Sequence, residues 1–215
     1  MGSDRGRTDE RPAHRVVVAA LRAAVSPVSN AEYAAFVAAT RHDAAAFIGD
    51  ARFADPKQPV AGVSWFDAVA YCEWLTSVIG VAFRLPAEAE REYAARGGLA
   101  DRDWPWGDEP PESRPELRQI VSMEEPHAPG PECANGFGLS CMVDNVHEWC
   151  SDWYAADYYA SSPTDAPRGP EMGSRRASRG GSWRHQVKFN RVSARSSLDP
   201  TFRYNDYGFR VYADP

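Results

Sequence analysis

The side chains with the most chemical potential gather in two segments near the C-terminal end. The run Gly180-Gly181-Ser182-Trp183-Arg184-His185 sets a hydroxyl, a guanidinium and an imidazole directly after a glycine pair. Glycine carries no Cβ, so such a pair lets a neighbouring backbone or a ligand approach closely. Further on, Tyr204-Asn205-Asp206-Tyr207 places an amide and a carboxylate between two aromatic rings. If the two segments converge, Ser182, Trp183, Arg184, His185, Asn205 and Asp206 make one concave face. Aromatic walls carrying a few polar groups have the composition of a ligand pocket. His185 is the candidate catalytic residue, because an imidazole serves as metal ligand or as base near neutral pH. The same residues equally suit a loop pinned by its tryptophan with no ligand.

Sulfur chemistry is sparse. The four cysteines, Cys72, Cys133, Cys141 and Cys150, are too few for a disulfide scaffold in 215 residues, and no CxxC pair gives zinc-ligand spacing. Free thiols are expected, with a bridge or shared metal between Cys141 and Cys150 as the lesser alternative. Thirty acidic side chains against 24 basic ones leave a formal charge of -6, and no stretch of five or six like charges appears. Nucleic acid is therefore not an expected partner, since its recognition leaves a basic patch. From Arg168 to Arg210 arginines outnumber acids, which implies surface and structural ion pairs before an acidic ligand. No apolar run is long enough to cross a membrane, and the N-terminal residues carry no secretory pattern, so a cytoplasmic protein is expected.

At 43% hydrophobic and 25% charged residues, the chain reads as one folded domain over residues 1–215. His14 to Val18 has strand character. Ser29 with Glu32 is a capping box, so a helix begins at Asn30, with Tyr33, Phe36 and Val37 on its inner face. Ser64 with Asp67 starts a second helix, whose inner face would hold Trp65, Val69, Cys72, Leu75 and Ile79. A third lies within Arg84 to Gly98, acidic at its start and closed by glycine, with Glu88, Glu90 and Glu92 expected on an exposed face. A coil rich in Pro, Gly and charge follows, from Trp104 to about Gly138. Short strand-like runs then appear around 146–153, 177–183, 191–196 and 207–212. Helices first and strands later predict an α+β domain.

Six blocks in order resemble the motifs of the sulfatase-modifying factor family, which includes the formylglycine-generating enzymes. They are Arg84-Leu85-Pro86-Ala87-Glu88-Ala89-Glu90, Glu92 to Gly98, Asn135-Gly136-Phe137-Gly138-Leu139, Asn145-Val146-His147-Glu148-Trp149, Arg179-Gly180-Gly181-Ser182-Trp183 and Tyr207-Gly208-Phe209-Arg210-Val211. The resemblance runs from about residue 2 to 212. It implies a C-type lectin-like fold with few helices, a small twisted sheet and long loops.

In the family's formylglycine-generating members, two cysteines shortly after Gly-Gly-Ser bind copper(I), which activates oxygen to oxidise a substrate cysteine. Here the stretch Gly180 to Arg191 contains no cysteine, nor does anything after Cys150, and His185 stands about where the first would be. Soft copper(I) favours thiolates, so copper is not expected. The resemblance places a calcium site at Asn145, Val146 and Glu148, through side-chain and carbonyl oxygens. It does not extend to the family's second calcium site, whose elements are missing from Glu116-Leu117-Arg118 and from Pro126 to Gly130. It also implies a substrate groove lined at Ser182, Asn205 and Asp206. The functional expectation is a family member without the copper pair that binds a peptide or small molecule at the C-terminal loops. The alternative is a divergent oxidoreductase or maturation or biosynthetic enzyme using a recruited metal near His185. A true formylglycine-generating enzyme and a variable-surface binding protein rank behind both.

Overall fold

The computed structural model describes residues 1–114, 125–186 and 189–215. Three helices carry the N-terminal half: α1 (Asn30–Thr40), α2 (Trp65–Ile79) and α3 (Glu88–Arg96), with the two-residue strands β1 (Arg22–Ala23) and β2 (Phe83–Arg84) around them. Both expected capping boxes form. Ser29 accepts from the amide of Glu32 while Glu32 accepts from the amide of Ser29, and Ser64 and Asp67 make the same exchange. α2 stops at Gly80, whose φ of 78° suits a residue without Cβ.

The remaining strands are β3 (His147–Trp153), β4 (Arg176–Arg179), β5 (Ser196–Leu198), β6 (Tyr207–Gly208) and β7 (Tyr212–Ala213). One sheet has the order β1-β7-β2 and joins the two ends of the fold; the other has the order β5-β4-β3-β6. In the second sheet β3 runs antiparallel to β4 but parallel to β6. This is the expected α+β domain with few helices, small sheets and long loops.

The core lies where α1 and α2 meet the second sheet. Tyr33, Phe36 and Tyr71 pack edge-on or stacked with one another, and Phe209 and Trp149 close the cluster from the strand side. Buried rings of this size stabilise by about 1.5–3 kcal/mol each. Cys72 sits among them as a small apolar group.

Three expectations are corrected. The segment around His14–Val18 forms only an isolated bridge from Val17 to Asp165, because no strand lies alongside to extend it. Ile79, in the last turn of α2, is exposed, and Ala68 and Tyr71 fill the inner face instead. The glutamates of α3 are buried rather than solvated. Glu88 meets Arg179 and Arg195, Glu90 meets Arg84, and Glu92 meets Arg96 and Arg179. These arginines compensate carboxylates that would otherwise be prohibitively desolvated.

Candidate metal centre

Along β3 successive side chains point to opposite faces, so His147 and Glu148 serve different environments. The parallel register with β6 sets His147 opposite Tyr207, and the His147 amide donates to the Asp206 carbonyl at 2.8 Å. Asp206 is thereby fixed beside His147. The third contributor arrives from the turn after β4. Gly180 and Gly181 have φ of 99° and 66°, and a Cβ on Gly181 would fall 2.0 Å from the Asn190 side chain. Only glycine permits that turn, which carries Ser182 inward and His185 across the mouth of the site. Ser182 Oγ donates to Asp206 Oδ2 at 3.1 Å, and Asn190 Nδ2 holds the Ser182 carbonyl at 3.3 Å.

The result is a cluster of His147, His185 and Asp206, each offering one ligand atom, all within 4.8 Å of one another. The two imidazole rings meet edge-on with centroids 5.3 Å apart. His147 and Asp206 are buried, while His185 is exposed. Two polar atoms in the cluster are buried without a hydrogen-bond partner: His147 Nδ1 and Asp206 Oδ1. The Arg184 guanidinium stands 3.7 Å from that carboxylate oxygen, beyond hydrogen-bond reach. Burial, helped by His185, Arg184 and Arg7, pushes the His147 pKa down to about 3, so its ring is neutral at ordinary pH. A cavity of about 120 Å³ opens beside the two imidazoles, bordered by Arg7, Phe189, Asn190 and Ser196. At about 30 Å³ per molecule it holds roughly four waters or a small substrate group.

Of the residues expected to line one face, Ser182, His185 and Asp206 converge, with Arg184 at the rim. Trp183 does not join them. Its ring packs against Phe53 at 6.0 Å and belongs to the cluster of Phe53, Ala61 and Val146. Asn205 takes part through its carbonyl, which accepts from Trp183 Nε1 at 3.3 Å. These two residues anchor the loop. His147, absent from the expected set, supplies the buried imidazole. Its signal was the two-residue alternation of the strand, which turns it away from Glu148.

The expected calcium site at Asn145, Val146 and Glu148 does not fit these residues. Glu148 is completely buried, with Arg91 Nε at 2.7 Å from one oxygen and Arg210 Nη2 at 3.0 Å from the other. A cation there would sit against two guanidinium groups. Both oxygens of Asn145 are also committed: its side chain accepts from the His127 amide at 3.2 Å and its carbonyl from the Trp183 amide at 2.8 Å. Copper(I) held by a cysteine pair fits no better, since the cluster offers imidazole and carboxylate where thiolates are required. The segment Glu116-Leu117-Arg118, considered for a second calcium site, lies outside the described residues.

Comparison with known proteins agrees with this architecture. The formylglycine-generating enzyme of Streptomyces coelicolor is 43% identical over 174 residues, covering 74% of this chain and 54% of that protein. The chain thus spans about half the length of that enzyme. Among solved structures, PvdO from Pseudomonas aeruginosa superposes with a TM-score of 0.83 at 25% identity, covering 100% of this chain and 90% of that one. Treponema denticola variable protein 1 superposes equally well, with a TM-score of 0.83 and 25% identity over 100% of this chain and 91% of its own. The family description "Sulfatase-modifying factor enzyme 1-like domain" matches residues 1–215 throughout, and with the helices, sheets and glycine turn described above, the chain belongs to that family.

Proposed function

We propose that this chain is a divergent, metal-dependent enzyme of its family, in which His147, His185 and Asp206 hold a divalent transition metal. Iron(II) is the best match. Two imidazoles and one carboxylate with open coordination positions are the donor set of non-haem iron sites that activate dioxygen. The substrate is a peptide side chain or a small molecule entering the cavity beside the imidazoles. Formylglycine formation through a copper–thiolate pair is disfavoured because the chain has no cysteine after Cys150.

The observation that carries the reading is that two residues of one cluster, His147 and Asp206, each hold a buried polar atom without a hydrogen-bond partner, Nδ1 and Oδ1. A buried polar atom without a partner costs about 1–3 kcal/mol, and more where it is charged. One cation held by both residues would offset that cost. Ser182, which donates to the other oxygen of Asp206, would orient the carboxylate as an outer partner does in metal sites.

Anaerobic iron(II) loading followed by nitric oxide addition tests this directly through the paramagnetic iron–nitrosyl signal. The signal is expected in the native protein, weakened in the exposed-site variant His185→Ala and lost in Asp206→Ala. A folded native protein that gives no signal would leave the second reading, a metal-free binding face. That reading has its own support in Phe202 and Tyr204, exposed rings with centroids 5.8 Å apart on the loop leading to Asp206.

A further inference from the structure

A second group of metal-ligating side chains lies apart from the site just described and shares no residue with it. His127, Cys133, Cys141 and Asp144 each offer one ligand atom, and the four atoms lie within 4.8 Å of one another. They come from three separate pieces of irregular chain. His127 belongs to the coil that precedes the 3-10 turn Pro131–Cys133, Cys133 ends that turn, and Cys141 and Asp144 sit in the loop that feeds into β3. Such a segment, with little regular hydrogen bonding of its own, needs another source of order.

We propose that His127, Cys133, Cys141 and Asp144 form a structural zinc site. Two sulfurs, one imidazole nitrogen and one carboxylate oxygen make up a closed four-ligand set of the kind zinc(II) favours. The distances suit a tetrahedron. With zinc bonds of about 2.0–2.3 Å, its edges are about 3.3–3.8 Å long. His127 Nε2 lies 3.8 Å from Cys141 Sγ and 3.4 Å from Asp144 Oδ2.

The surroundings agree. His127, Cys141 and Asp144 are all buried, so an imidazole, a sulfur and a carboxylate face one another out of water, with the half-buried Cys133 beside them. A divalent cation is the compensation such a set calls for. Asn145 Nδ2 points at Cys141 Sγ from 3.5 Å and also donates to the His127 carbonyl at 2.8 Å. An amide directed at sulfur is the outer-sphere contact that steadies a metal-bound thiolate. Cys141 holds a left-handed backbone with φ of 57°, which a non-glycine residue adopts only where its surroundings impose it. The loop from 141 to 145 is therefore bent to present these groups. Because all four positions are filled by protein, the ion would organise the chain leading into β3 and would do no chemistry.

The test uses the full chain purified under reducing conditions, with zinc measured by elemental analysis. About one zinc ion per chain is expected at this site, retained in His185→Ala, which removes a ligand only from the other cluster. Cys141→Ser and His127→Ala should lose it, and a strong chelator should lower the Tm of the native protein toward theirs. Should those variants fold poorly, cobalt(II) substitution of the native protein supplies an independent readout. It should give thiolate-to-metal charge-transfer absorption and the intense visible bands of a tetrahedral site, both weakened in the milder Cys133→Ser. The proposal is overturned by a native protein that stays folded and zinc-free after loading. It is equally overturned by a Cys133–Cys141 disulfide in the reduced preparation, or by undiminished zinc in folded Cys141→Ser. Failure of iron to bind at His147, His185 and Asp206 would leave these results unchanged.

Discussion

Glu148 is the clearest case of a side chain whose neighbours decide its role. Arg91 and Arg210 hold both its oxygens; Arg91 Nη2 also reaches the Met142 carbonyl, and Arg210 reaches those of Ala24, Val25 and Ser140. Neutralising such a carboxylate leaves two buried cations without a counter-charge, a loss of about 3–5 kcal/mol. Glu148→Gln should therefore lower the melting temperature strongly, and equally in calcium and in chelator, as followed by thermal denaturation in both buffers. A selective loss in calcium would restore the metal role. Asp152, on the same strand, gives a prediction in pH. Burial and then the nearby Glu88 carboxylate raise its pKa from 3.8 to about 7, against a smaller pull from Arg168. The folded state thus binds a proton that the unfolded state releases between those values, so this contribution is complete below about 4 and declines until about 7. Asp152→Asn keeps an acceptor for the Glu88 amide and should flatten that decline in denaturant unfolding series across pH; an unchanged slope would show that Asp152 is already ionised when folded. Neither role was legible in the sequence. The resemblance of its loop to the family's suggests a calcium ligand at Glu148, and local sequence cannot correct this because its arginine partners lie on α3 and between β6 and β7, far away along the chain.

The turn between β4 and the Ser182–His185 segment does more for the centre than any regular element. Its two glycines let Asn190 close over the backbone and carry His185 toward His147. Gly181→Ala would place a methyl group on the Asn190 side chain at a positive φ, so the turn must open. We expect lower stability together with weaker iron(II) binding, read by titration of the folded fraction; unaltered affinity would separate the turn from the centre. The glycine pair and the polar residues after it could be read from the sequence, as could α1 and α2, whose capping boxes are local signals. Local signals do not reach the face of α3. Its glutamates are polar by composition, and their burial depends on Arg179 from β4 and Arg195 from the loop before β5. Whether Trp183 lines a groove or pins a loop stays open in the sequence for a related reason: its apolar neighbour Phe53 lies across the fold. His147 was visible as an imidazole, but its pairing with β6 rests on a two-residue strand with almost no periodicity to detect.

Across the molecule, arginines of the C-terminal third hold buried glutamates of the N-terminal segment, α3 and β3 in separate groups of ion pairs. Arg179 and Arg195 clamp Glu88, Arg210 holds Glu148, and Arg191 with Ser193 fixes Glu10 of the N-terminal segment. Pairs like these contribute little net stability in themselves, but once made they are costly to break. They tie segments distant in sequence where every named strand but β3 has only two to four residues and so few ladder bonds. The cavity beside His147 and His185 is bordered by two of the same arginines, Arg179 from β4 and Arg195 from the loop before β5, and by Arg7 from the N-terminal segment. The position of the proposed metal centre is thus a property of the whole fold, and the central claim is the proposal that two imidazoles and a carboxylate share one ion. X-ray absorption at the iron edge of the loaded protein tests it most directly. The account predicts a first shell of nitrogen and oxygen alone, with scattering from two imidazole rings that falls to one in His147→Ala; an absent iron edge after loading, or a sulfur shell, would contradict it.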